Sequence, residues 1–232
     1  MHKIYVNGAS GKMGQAVLKI IEDNDEFAKD NLLNSDVVID FSNPISTLQI
    51  LDECVDNKKP LIIGTTGISE DHLNIIKKAS KEIPILLAAN MSTGINNLKE
   101  SITKFLNQLE EEMHCIIEET HHVQKIDKPS GTAVELIDLI KLKDKNQNIK
   151  NIEVNSHRVE DVFGIHKITF YNKNGSSYFM HEALSRDVFA QGALLSSKIV
   201  GGLEPNIYKF KDILNWSKSL KRVSFSIEYK NF

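Results

Sequence analysis

Short apolar runs alternate with amphipathic stretches over the first ninety residues. Ile4-Tyr5-Val6 reads as a buried strand, Gly8 to Gly14 as a glycine-rich turn, and Gln15 to Glu22 as a helix with apolar Val17, Leu18, Ile20 and Ile21. Asp36 to Asp40 is a second strand, Ile45 to Asp56 a second helix, and Pro60 to Ile63 a third strand that runs into Gly64-Thr65-Thr66-Gly67. Ser69 is placed to cap a helix reaching Ser80, and Ile83 to Leu87 makes a further strand. The polar stretch after Glu22 predicts no strand before Asp36. Strands alternating with helices predict a parallel, doubly wound sheet.

From about Asn90 the rhythm changes. A long helix over Ile95 to Glu111 precedes a strand at His114 to Glu119 and a helix over Thr132 to Leu142. Lys143 to Lys150 reads as a solvated loop. Strands then follow at Ile152 to Arg158, His166 to Tyr171 and Ser177 to Ala183, with Asn174-Gly175 as a hairpin turn. Val188 to Gly201 reads as a helix and Ser224 to Tyr229 as a last strand. The expected architecture is α/β: a Rossmann-type parallel-sheet domain over 1–92 and 187–232, with an α+β domain of antiparallel character inserted at 93–186.

Composition narrows the function classes. A 232-residue chain that is 41% hydrophobic can bury a core, which excludes disorder as its dominant state. Its 28 basic and 31 acidic residues leave a formal charge of −3, so no broad field would gather nucleic acid or an anionic membrane. No apolar run approaches the roughly 18 residues of a membrane span, and no signal segment opens the chain, so a cytoplasmic protein is expected. Cys54 and Cys115 stand apart from any cluster of metal ligands and read as buried free thiols.

Two stretches carry chemistry. Gly8-Ala9-Ser10-Gly11-Lys12-Met13-Gly14 lies between a strand and a helix, where a dinucleotide-binding fold holds its pyrophosphate against backbone N–H groups. The spacing is GxxGxxG, and the carboxylate that usually holds the adenosine ribose has no clear counterpart. Lys12 reads either as a partner for a ribose 2′-phosphate or as a solvated lysine.

The second stretch runs from Glu119 to Ala133. His121, His122 and Lys125 can exchange protons, while the turn at Pro129 to Gly131 leads into a helix that Thr132 and Glu135 would open as a capping box. The N–H groups of Ser130, Gly131 and Thr132 would converge there on a carboxylate. Adjacent histidines point apart on a strand and no third ligand is near in sequence, so no metal is expected.

Together these segments closely resemble the 4-hydroxy-tetrahydrodipicolinate reductase family. The resemblance extends through Val38-Ile-Asp-Phe-Ser-Asn-Pro44, Ala88 to Asn96, His157-Arg158, Gly164-Ile-His166 and Ser185 to Ala193. It implies a cofactor, NADH or NADPH, lined by Gly8, Ala9, Ser10, Gly11, Lys12, Met13, Gly64, Thr65, Thr66, Ala88, Ala89, Asn90 and Met91. It further implies His121 as proton donor or acceptor, Lys125 as proton donor, and a small dicarboxylate held by His122, Ser130, Gly131 and Thr132. A homotetramer built through the inserted domain's sheet, and a hinge that closes on both ligands, complete the implied picture. The segment between Glu22 and Val37 is shorter than the family usually carries.

Overall fold

The computed structural model describes residues 1–217, so the strand expected at Ser224 to Tyr229 lies outside the described residues. The described residues divide into two compact units, one of Met1–Met91 with residues 189–217, the other of Ser92–Val188.

In the first unit the elements are β1 (His2–Asn7), α1 (Lys12–Glu22), β2 (Phe27–Lys29), β3 (Val37–Asp40), α2 (Pro44–Asp56), β4 (Leu61–Ile63), α3 (Glu70–Ala79) and β5 (Ile85–Leu87). The unit also takes in most of α6 (Asp187–Val200), together with β10 (Ile207–Tyr208). Six strands pair in parallel in the order β10-β5-β4-β3-β1-β2. Alternation along the strands divides the core. Ile4, Val37, Ile39 and Ile62 pack with Val17 and Ile21 of α1 and Ala193 of α6, whereas Val38, Leu61 and Ile63 pack with Ile50, Leu51 and Ile76 of α2 and α3. A sheet covered on both faces needs the near-continuous apolar strands that the sequence supplies.

β2 corrects the expectation of no strand before Asp36. Its three residues pair with His2, Lys3 and Ile4, and it stops opposite Ile4 while β3 continues to the pairing of Asn7 with Asp40. The chain then returns without a helix: Asp30 N–H donates to Ile4 O (3.0 Å), Asp36 N–H to Lys3 O (2.8 Å), and Leu32 is buried against the α2 face. Only Phe27 of β2 is buried, and one apolar residue in three makes no periodic signal.

In the second unit, α4 (Thr93–Asn107) and α5 (Gly131–Lys143) cover one face of a sheet of β6 (Met113–His121), β7 (Ile149–Arg158), β8 (Gly164–Asn172) and β9 (Gly175–Ala183). The order is β7-β6-β8-β9, with β6 and β7 parallel and the other pairs antiparallel. The sheet is therefore mixed, because α5 carries the chain back so that β7 runs alongside β6 in the same direction. Cys115, Ile117, Ile168 and Phe170 meet Ile102, Leu106, Leu136 and Ile140 in its core. Both cysteines are buried free thiols, and burial pushes each up to about 12.

Asp40 ties the loops of the first unit together. Its fully buried carboxylate accepts from Asn7 Nδ2 (2.8 Å), Ser42 N (3.1 Å), Thr47 Oγ1 (2.6 Å) and Thr65 Oγ1 (2.9 Å), groups from β1, the turn after β3, α2 and the loop after β4. Asp40→Ala would strand these donors and is expected to lower unfolding stability by about 3 kcal/mol in urea titration. Asp36→Ala, which removes an exposed carboxylate, should change it by less than about 1 kcal/mol.

Candidate active site

The three segments singled out for a dinucleotide follow β1, β4 and β5, so they share the carboxyl edge of one parallel sheet. Doubly wound folds hold ligands at that edge. Gly8 has φ +78°, and a Cβ on it would lie 2.6 Å from Phe41 O. A Cβ on Gly14 would lie 2.2 Å from Gly8 O, so both positions are dictated by backbone approach. Gly11 opens α1 with no side-chain cap, and a Cβ there would come no closer than 3.3 Å to the Gly8 carbonyl oxygen. A bare helix start beside a glycine turn fits a pyrophosphate. Thr65 is buried and donates to Asp40, Thr66 is exposed, and Met91 is buried with its carbonyl against Gly192.

The second unit gathers the proton-handling residues. Alternation on β6 turns Cys115, Ile117, Glu119 and His121 to the helix-covered face, so a carboxylate and an imidazole two residues apart are neighbours. Glu119 is 0% exposed. Its Oε2 meets His121 Nδ1, while Oε1 accepts from Arg158 Nη1 (3.0 Å) and Ser130 N (3.3 Å). Burial acts to raise the Glu119 carboxyl, but hydrogen bonds from Ser156 and Arg158 and the charge of His121 hold it below the usual carboxylate range. Burial pulls His121 below its ordinary value, against the opposing pull of Glu119. His166, paired across strands with Glu119, sets its ring 5.0 Å from that of His121 and is pushed down to about 3, chiefly by burial.

Lys125 lies beyond the strand, with Nζ 2.8 Å from Asp127 Oδ1. Burial acts to raise Asp127, but the hydrogen bond and charge of Lys125 bring it below its ordinary value. Asp127 Oδ2 also accepts from Gly131 N (3.3 Å), so one carboxylate bridges the lysine and the start of α5. His122 follows β6, and its carbonyl accepts from Lys125 N (3.0 Å).

One expectation changes here. The cap of α5 is Ser130, whose Oγ accepts from Ala133 N (3.2 Å), and Glu135 instead pairs with Lys99 of α4, so the Thr132–Glu135 capping box does not form. Ser130 is also buried, with its N–H turned to Glu119 and its Oγ 3.2 Å from His166 Nε2. Its polar groups are thus engaged within the cluster, and Gly131 and Thr132 follow it as the first residues of α5.

Glu119, His121 and His166 carry ligand-type atoms within 4.8 Å of one another. The guanidinium on the same carboxylate already compensates its charge, which suits a proton-handling cluster better than a cation. Glu119, Arg158 and His166 stand in segments that carry the family resemblance, but the sequence assigned them no catalytic or binding role. For Glu119 a signal existed, since a carboxylate in line with Cys115 and Ile117 on an inward face demands a partner. Arg158 and His166 reach it from β7 and β8, through strand register that a linear pattern does not encode.

Comparison with known proteins follows the same division. Residues 25–91 match the family model described as dihydrodipicolinate reductase, N-terminus, and residues 94–214 match its C-terminus counterpart. A 4-hydroxy-tetrahydrodipicolinate reductase of Alkaliphilus oremlandii is 34% identical over 236 residues, covering 91% of this chain and 98% of the relative. One from Thermosipho africanus is 34% identical over 220 residues, covering 90% and 96%. A solved dihydrodipicolinate reductase from Paenisporosarcina sp., with dipicolinate bound, shares the fold at a TM-score of 0.71 and 20% identity, covering 90% of this chain and 97% of that one. On these matches along both units, the chain belongs to the dihydrodipicolinate reductase family.

Proposed function

We propose that the chain reduces 4-hydroxy-tetrahydrodipicolinate to tetrahydrodipicolinate with NADH or NADPH and releases water, a step of diaminopimelate and lysine biosynthesis. The observation that carries this reading is the cluster at the end of β6, where an imidazole, an amine and a helix start meet around a buried ion pair. Bound along Gly8–Met13, Gly64–Thr66 and Ala88–Met91, the nicotinamide nucleotide would supply the hydride. Reducing a conjugated imine also needs a proton at a second atom, and His121 and Lys125 are the groups that give or take it.

The contacts of Asp127 support a substrate carboxylate site at Lys125 and the start of α5. Asp127 holds Lys125 Nζ and Gly131 N–H at once, and a substrate carboxylate of the same charge and shape takes over those donors, with His122 and Thr132 beside them.

The helix-free face of the four-stranded sheet supports assembly as a homotetramer. Ile116, Thr169, Tyr178 and Met180 lie along that face in register, and Tyr178 is 66% exposed. Among the described residues no helix is long and apolar enough to cross a membrane, and a cytoplasmic location completes the reading.

Purified protein should oxidise NADH or NADPH only when the condensation product of pyruvate and aspartate semialdehyde is present; no substrate-dependent oxidation with either nucleotide would refute the reading. Parallel titrations with the two nucleotides measure which ribose the short β2 edge admits. Lys125→Ala should lower kcat by about 100-fold with nucleotide affinity unchanged. Light scattering should give a four-chain mass, and Met180→Glu should reduce it.

A further inference from the structure

His121 ends a strand and Lys125 stands on the turn after it, yet one buried ion pair reaches the backbone or side chain of both. Arg158, whose side chain is only 8% exposed, donates from Nη1 to Glu119 Oε1 (3.0 Å), from Nε to the carbonyl of Lys125 (3.1 Å) and from Nη2 to the carbonyl of Asp127 (2.5 Å). Glu119 in turn meets His121 through its other oxygen. We infer that Glu119 and Arg158 are positioning residues for the reduction, Glu119 by fixing the ring of His121 and Arg158 by fixing the backbone that carries Lys125. This inference rests on the function proposed above.

Neither residue is placed to touch a substrate. Glu119 is wholly buried, and four of the five N–H donors of Arg158 are engaged by the Glu119 carboxylate and the carbonyls of Lys125, Asp127 and His157. An ionised carboxylate only accepts, so the hydrogen of His121 lies on Nδ1 and proton exchange falls to Nε2. A Cβ on residue 164 would sit 3.1 Å from that Nε2, and glycine there leaves the space beside it open. Ser130 Oγ accepts from Ala133 N and lies 3.2 Å from His166 Nε2, and burial keeps that imidazole neutral, so His166 forms an uncharged wall beside His121. A guanidinium can grip a carboxylate and two carbonyls together because its donors are fixed in a plane; an ammonium at one point cannot.

The groups facing His121 are Glu119 on its own strand, Arg158 on β7, His166 on β8 and Lys125 from the turn. Burial, Lys125 and Arg158 all disfavour its charged form, and Glu119 alone supports it. Without that carboxylate charge the imidazole holds its proton less well.

In the full chain, Glu119→Gln should lower kcat by about 10- to 100-fold, leave nucleotide affinity within about twofold, and move the His121 limb of the pH profile to lower pH. Arg158→Lys should lower kcat about tenfold while that limb stays near its wild-type position. Wild-type kcat in both variants, or an unmoved limb in Glu119→Gln, would overturn the inference. Imidazole nitrogen NMR on the unmodified protein tests it without turnover or a variant: neutral His121 should carry hydrogen on Nδ1, and hydrogen on Nε2 would overturn it. Failure of the wild-type protein to oxidise either nucleotide would instead remove the functional reading and leave the geometric result standing.

Discussion

A carboxylate taken wholly out of water must be met by donors, and Glu119 at the end of β6 is the point on which the second unit's chemistry depends. Its neighbours on the same face are Cys115 and Ile117, so the strand delivers it into an apolar layer where an unmet charge could not persist. Arg158, His121 and the Ser130 amide answer that demand. Because each answering group belongs to a different segment, satisfying one charge also sets the end of β7, the imidazole and the start of α5.

Asp40 meets the same constraint differently. No cation approaches it among the hydrogen bonds it accepts; hydroxyls, an amide side chain and a backbone N–H share the charge. Neutral donors from four segments hold the loops together at the sheet edge. The two units thus each place a buried acid where a strand meets the loops that follow it, one networked to a guanidinium and one to neutral groups.

The short β2 shows how much of a nucleotide-binding sheet can be removed while its edge survives. Three residues pair with the first half of β1 and a seven-residue return, residues 30–36, replaces the usual helical crossover. Leu32 of that return is buried in the apolar layer with Val38, Ile50 and Leu51. The loops at Gly8, Gly64 and Ala88 are unaffected, because β1, β3, β4 and β5 pair independently of that edge.

Hydrophobic periodicity alone determined the parallel sheet, its flanking helices and the change of rhythm near Asn90, since a buried strand and an amphipathic helix each leave a local pattern. The glycine loop and the stretch from His121 to Thr132 were equally legible, because their chemistry is written in consecutive residues. Tertiary structure decided what depends on distant partners. β2 was too short to leave a period, and the parallel pairing of β6 with β7 follows from the path of α5. The cap of α5 moved to Ser130 because Glu135 found Lys99 on another helix. Arg158 and His166 joined Glu119 through strand register, a relation between residues 39 and 47 positions apart that no local pattern can carry.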